Sequence, residues 1–177
     1  MTGWRRVQGL SSERDLWVVP EGDSRPEMGY WTTEDGRDVM EVVGAGQADT
    51  LAFPVWFEQS PDGGDRRGDM VWTQGAPMTI VSEAFVEGLR TLGVEGWDTY
   101  PVDIRGRDGE AIPGYVGFVP DATGTSEVVV GSWPNTKPFW SLTVTENVCL
   151  SLKEMGLLFD HEPETDRRAV KGLRATT

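Results

Sequence analysis

The stretch VSEAFVEGLRTLG (81–93) decides the reading, because VTENVCLSLKEMG (144–156) repeats it without a gap. Val, Glu, Leu and Gly coincide, Ser82 lies opposite Thr145, Arg90 opposite Lys153 and Leu92 opposite Met155. Each copy reads as a short capped helix. Ser82 and Thr145 are favoured N-cap residues, with Glu83 and Glu146 just behind them at the positive end of the helix dipole. Phe85, Val86, Leu89 and Leu92 recur at helical spacing, and Val148, Cys149, Leu152 and Met155 take the same offsets. Gly93 and Gly156 then stop the helices, as a left-handed glycine does. Leu150 widens the second apolar stripe, which predicts deeper burial for that helix. Gly88 weakens the first helix by about 1 kcal/mol relative to Ala; it either permits close packing on a sheet or lies exposed.

Helices of about eleven residues are marginal alone and need a sheet to cover. The expected fold is therefore α+β, a mostly antiparallel sheet covered by two capped helices at about 82–92 and 145–155. Strand-like text surrounds them. DLWVV (15–19), DVMEVV (38–43), LAFPVWFE (51–58), MVWTQ (70–74), WDTYPVDI (97–104), GYVGFV (114–119) and SEVVVGSW (126–133) are rich in β-branched and aromatic residues between turn signals. Pro54 makes its run an edge strand or a broken one. SPDGGDRRGD (60–69) is the clearest loop, and Asp108-Gly109 marks a hairpin-type turn. Residues 1–166 are expected to form one domain, with an irregular strand-rich part (1–68) and a motif-bearing part (69–162). Residues 167–177 carry four bases and are expected as a frayed basic tail.

Twenty-nine acidic residues against sixteen basic ones give a formal charge of −13, which disfavours nucleic acid and anionic membranes as partners. The acids are scattered, so solubility is the plain explanation and steering toward a basic partner the functional one. The start shows two arginines with no apolar stretch behind them, and no apolar run reaches the roughly 18 residues of a membrane span. The expected location is the cytoplasm. One Cys rules out an internal disulfide, and one His beside that one Cys rules out a zinc site needing three or more His or Cys ligands.

His161 lies among acids in FDHEPETD and reads as solvated, while Cys149 lies on the apolar helix stripe and reads as an inert small hydrophobe. Gly-Ala-Gly at 44–46 lacks the third glycine and the helix of a dinucleotide site. No catalytic residue, cofactor or metal ligand set emerges. Trp72, Trp97, Trp133 and Trp140 are expected mostly in the core. Partner contacts are assigned to the acids flanking two turns, Glu34, Asp35 and Asp38 in one and Asp62 and Asp65 in the other. Trp56 is added as an aromatic anchor of the type that dominates interface hot spots.

The run DMVWTQGAPMTIVSEAFVEGLRTLGVEGWDTYPVDIRGRDGEAIPGYVGFV (69–119) resembles a bacterial family of immunity proteins from polymorphic toxin systems. An Asp-led strand, a Val-Ser-Glu helix start, a YPV strand, a DG turn and a Tyr-containing strand carry the likeness, with VTENVCLSLKEMG as the second helix. It covers about half of the chain. The resemblance implies a non-catalytic protein that neutralises a cognate toxin by binding it, with many such toxins basic. A carboxylate-based hydrolase or transferase and a phage or secretion accessory protein stay open as alternatives.

Overall fold

The computed structural model describes residues 3–20, 33, 35–74, 78–120, 128–131 and 141–163. The fold is α+β with the sheets dominant. Its strands are β1 (Trp4–Gln8), β2 (Trp17–Pro20), β3 (Val55–Gln59), β4 (Met70–Thr73), β5 (Thr79–Ser82), β6 (Trp97–Tyr100), β7 (Val102–Arg105), β8 (Tyr115–Pro120), β9 (Val128–Gly131), β10 (Ser141–Thr145) and β11 (Asp160–Pro163). Its helices are α1 (Val39–Gly44), α2 (Glu83–Thr91) and α3 (Glu146–Glu154). There are two sheets rather than one. The first runs β6-β8-β5-β4-β2-β3-β7 and the second β11-β1-β10-β9.

The repeated stretch is one part of a larger duplication. The order β6-β8-β5-β4 in the first sheet matches β11-β1-β10-β9 in the second, strand for strand and all antiparallel. In each unit the helix leaves the third of these strands, ends on a positive-φ glycine, and leads into the first. The registers agree: Ser82 faces Tyr115 and Thr79 faces Phe118, as Thr145 faces Trp4 and Leu142 faces Val7. Glu83 N–H donates to the Gly114 carbonyl (3.0 Å), and its counterpart Glu146 N–H to that of Gly3 (2.8 Å). Only the outermost pair differs, β11 on β1 standing one residue out of step with β6 on β8. The second unit draws its central strand from the start of the chain, so WRRVQ (4–8), with no strand expected in it, is β1. Its two arginines find partners in Glu146 and Glu162.

Both helices end in the same glycine motif. Gly93 N–H bonds to the Arg90 carbonyl and Val94 N–H to that of Leu89; Gly156 bonds to Lys153 and Leu157 to Leu152. At the other end the copies diverge. The Ser82 hydroxyl accepts from Phe85 N–H at 3.0 Å, whereas the Thr145 hydroxyl makes no capping bond. Leu150, expected in the core, is 47% exposed, and Met155 is 44% exposed. Leu150 corresponds to Glu87, which faces outward from α2, so the outer face of α3 carries a leucine without being buried. Gly88 is buried not on a sheet but on the other helix, where an added Cβ would stand 2.7 Å from Leu152 Cδ2. The missing side chain lets the two copies pack together, forming one core with Val7, Val81, Phe85, Phe118, Val144, Cys149 and Phe159.

A second core, with Leu16, Val18, Val55, Phe57, Ile80, Tyr100, Ile104 and Tyr115, fills the opposite face of the long sheet. Alternation along β5 serves both: Val81 faces the helices and Ile80 the second core. WDTYPVDI is not one strand. Pro101 splits it into β6 and β7, which lie at opposite edges of the seven-stranded sheet. Tyr100 and Val102 are only two residues apart, so those edges meet at Pro101 and the sheet must curl toward a barrel. The Pro101 carbonyl seals the corner by accepting from Val55 N–H at 3.0 Å. Pro54 precedes β3 and interrupts its run as expected, yet β3 is interior, between β2 and β7.

DVMEVV, expected as a strand, is helical. The Asp38 carboxylate accepts from Glu41 N–H at 3.2 Å, and Val39, Val42 and Val43 turn inward at i, i+3 and i+4. Its β-branched residues mimic a strand, but local capping and helical spacing override them. The basic tail, Trp133 and Trp140 lie outside the described residues. Trp72, expected in the core, is 38% exposed.

Candidate partner-binding surface

Asp35 and Asp38 lead into α1. Asp35 accepts the Thr33 hydroxyl and the Arg37 guanidinium (Nε to Oδ2 2.9 Å), and those bonds, Thr33's first, hold its carboxyl below the usual range. Arg37 is the sole base between 35 and 50, against Asp35, Asp38, Glu41 and Asp49. All five side chains are exposed. Val39, Val42, Val43 and Ala48 are buried beneath them, so the apolar side of this short segment anchors its acidic side. Glu34 lies outside the described residues.

Trp56 is not on a surface. It is 8% exposed, stacked on Phe53 with ring centroids 5.3 Å apart, and part of the second core. An aromatic on an interior strand is claimed by packing before any partner can reach it.

Asp62 and Asp65 belong to the 60–69 loop, which the fold holds firmly. Gln59 Nε2 donates to Asp65 Oδ1 (2.8 Å) and to the Gly64 carbonyl (2.8 Å). Gln74 Nε2 reaches Asp62 Oδ2 at 3.3 Å, and Arg107 donates to the carbonyls of Ser60 and Gly63. At the other side Asp15, 1% exposed, accepts from Arg66 Nε (2.6 Å) and from the backbone and hydroxyl of Ser12. Arg66, followed by the Ser12 bonds, holds the Asp15 carboxyl below its ordinary value although burial opposes this.

Between this loop and the 106–112 turn lies an open cleft of about 190 Å³. Its sides carry Asp65, Arg67, Asp108 and Glu110 over apolar Leu16, Ala111 and Ile112. Asp108, Glu110 and Arg107 are absent from the sequence-based assignment, which reads Asp108-Gly109 only as a turn. The turn is present, with Gly109 at φ 82° and a bridge from Arg105 to Ala111. What brings it beside Asp65 is the parallel pairing of β3 with β7, Glu58 opposite Arg105, so that the loops after both strands emerge at the same end. No sequence spacing announces that pairing.

Cys149 is fully buried and burial pushes its thiol pKa up, while His161 stands exposed on β11. Among the described residues no group of three or more His, Cys, Asp or Glu is placed to hold a metal ion. No helix among them is long and apolar enough to cross a membrane. Neither a protein-family model nor a curated protein matches the sequence.

Proposed function

We propose that the chain is a binding protein whose acidic surface at residues 35–50 engages a basic protein partner. In its finer form this is an immunity protein that neutralises a cognate toxin by occupying it. The observation that carries the reading is the exposed set Asp35, Asp38, Glu41 and Asp49 with a single arginine among them, itself paired to Asp35. Rim charges of one sign steer encounter and raise association rates more than they tighten the final complex. The −13 formal charge adds to that field. Asp62 and Asp65, held by Gln59, Gln74 and Arg107, offer a second group of preset acceptors.

The test is association with a panel of basic toxin domains, followed by stopped flow from roughly 50 to 500 mM salt. The rate constant should fall about tenfold or more across that range, and the double variant Glu41→Lys, Asp49→Lys, which spares the Asp38 cap of α1, should weaken the dependence. A flat salt response in the unaltered chain sinks the electrostatic reading.

A carboxylate-based hydrolase is the second reading, favoured by the three carboxylates around the cleft. Its apolar walls are Leu16, Ala111 and Ile112 rather than the Trp walls a glycan site would use. Turnover of a panel of glycoside and ester substrates, lost in Asp108→Asn and Glu110→Gln, would establish it.

A further inference from the structure

Phe53 lies flat on Trp56, with ring centroids 5.3 Å apart and an angle of 14° between the planes. Trp56 is thereby covered, and Phe53 is the outer ring of the pair. It is half-buried, as are Leu51 and Pro54, while Ala52 between them is exposed. Trp56 backs one face of the Phe53 ring, so the exposure that Phe53 keeps lies on its other face and edge.

These residues continue the acidic stretch directly. Asp49 stands four residues before Phe53, within a chain reach of about 14 Å. On β3, strand alternation puts exposed Glu58 on the same face as Trp56. Trp56 is opposite Asp103 on β7, and Glu58 is opposite Arg105, which is itself paired to Asp103 at 2.9 Å. Carboxylates therefore flank the stacked rings on both sides along the chain. An aromatic centre within a charged rim is the anatomy of an interface hot spot.

The charges select the occupant. An acidic segment would be repelled, and an apolar one would leave Asp49 and Glu58 desolvated without partners. A cation is attracted by the carboxylates and by the negative face of the ring alike. Of the two cationic side chains, arginine stacks its planar guanidinium on a ring while its N–H groups reach carboxylates, whereas the lysine ammonium is compact and strongly hydrated.

We propose that Phe53 is the aromatic anchor of the partner-binding surface and seats an arginine of the basic partner. The inference rests on the acidic-surface reading and deepens it: the acids at 35–50 steer the partner, and Phe53 holds it.

The experiment titrates the full chain with two capped peptides, acetyl-Gly-Arg-Gly-Arg-Gly-Arg-Gly-amide and its lysine counterpart, followed by NMR at about 50 mM salt. The arginine peptide should bind roughly threefold tighter. It should shift the ring protons of Phe53 but not those of fully buried Phe57. Phe53→Leu, which keeps an apolar cover on Trp56, should make the two peptides equal, and Phe53→Tyr should retain the preference. Glu41→Lys with Asp49→Lys should weaken both. Equal binding of the two peptides to the unaltered chain overturns the arginine seat and leaves the acidic surface standing, as does a preference that survives Phe53→Leu. Binding of neither at millimolar concentration overturns the acidic surface as well. If Phe53→Leu does not fold, tighter arginine binding without the Phe53 ring shifts overturns the proposal.

Discussion

Tyr100 lies across Gly117. The two face each other in β6 and β8, and a Cβ at Gly117 would stand 2.0 Å from Tyr100 Cζ. The ring therefore occupies the space where any other residue of β8 would place its side chain, next to the Pro101 corner at which the long sheet meets itself. An aromatic covering a cross-strand glycine is a recognised way to seal a curved sheet.

Gly117→Ala should accordingly destabilise the chain by about 3 kcal/mol, because the tyrosine has no free space to enter. Tyr100→Phe should do the reverse. The Tyr100 hydroxyl is buried without a hydrogen-bond partner among the described residues, and removing it should add about 1 kcal/mol. Urea unfolding of the two variants measures both; a neutral Gly117→Ala would mean that the ring is readily displaced.

At the helix interface the same logic works with a softer neighbour. Gly88→Ala gains about 1 kcal/mol of helix propensity but pushes on Leu152 Cδ2, so it should come out near neutral or slightly destabilising. Gly88→Val should cost about 3 kcal/mol, and Leu152→Ala should make room for it. A double-mutant cycle read by thermal unfolding should show coupling of about 1 kcal/mol or more, while additive losses would separate the two sites.

Acid should act through Asp15. A carboxyl held low in the folded chain contributes stability that is present above its unfolded value of 3.8 and is lost as pH falls through the folded value. Asp15→Asn should therefore cost about 2 kcal/mol near neutral pH, and its deficit should shrink below about pH 4 as the wild-type carboxyl protonates. Denaturant titrations at pH 3 and pH 7 give the comparison. An equal deficit at both would assign the loss to packing.

Alkali should act through the buried phenols. Burial, the largest influence, pushes the Tyr115 phenol up to about 12, and burial alone raises that of Tyr100 further. A raised value contributes stability that is complete below the unfolded value of 10 and is lost as pH climbs toward the folded one. The phenolate absorbance of these two tyrosines should rise only together with unfolding, above pH 10. With the third tyrosine removed by Tyr30→Phe, a smooth rise centred on pH 10 in the folded chain would contradict their burial.

The helices were legible because their signals are local. Ser82 sits three residues before the N–H it caps, Leu89 and Val94 meet around a glycine, and the apolar spacing spans two turns. The acids at 35–38 and 62–65 were legible as exposed loop residues for the same reason. Where a local signal had two readings, the wrong one could prevail: the valines of 38–43 look like a strand until Asp38 is seen to cap them. Trp56 shows the opposite limit. Its type suggests a contact surface, but only the position of β3 inside the sheet determines that it is buried.

By itself, then, the sequence determined the two helices, the Ser82 cap of the first, their glycine stops, most strand positions and the acidic balance, all set by interactions within a few residues. Only the tertiary structure decided that the repeat is half of a duplicated four-stranded unit. The units take their central strands from residues 115–120 and 4–8, on opposite sides of the helices in the chain. It also decided that Pro101 joins two sheet edges, that Asp108 stands over Asp65's cleft, and that Gly88 serves Leu152. Each of these depends on pairings between distant strands or helices, where a residue's fate is fixed by its neighbour in space, and no periodicity along the chain records who that neighbour is.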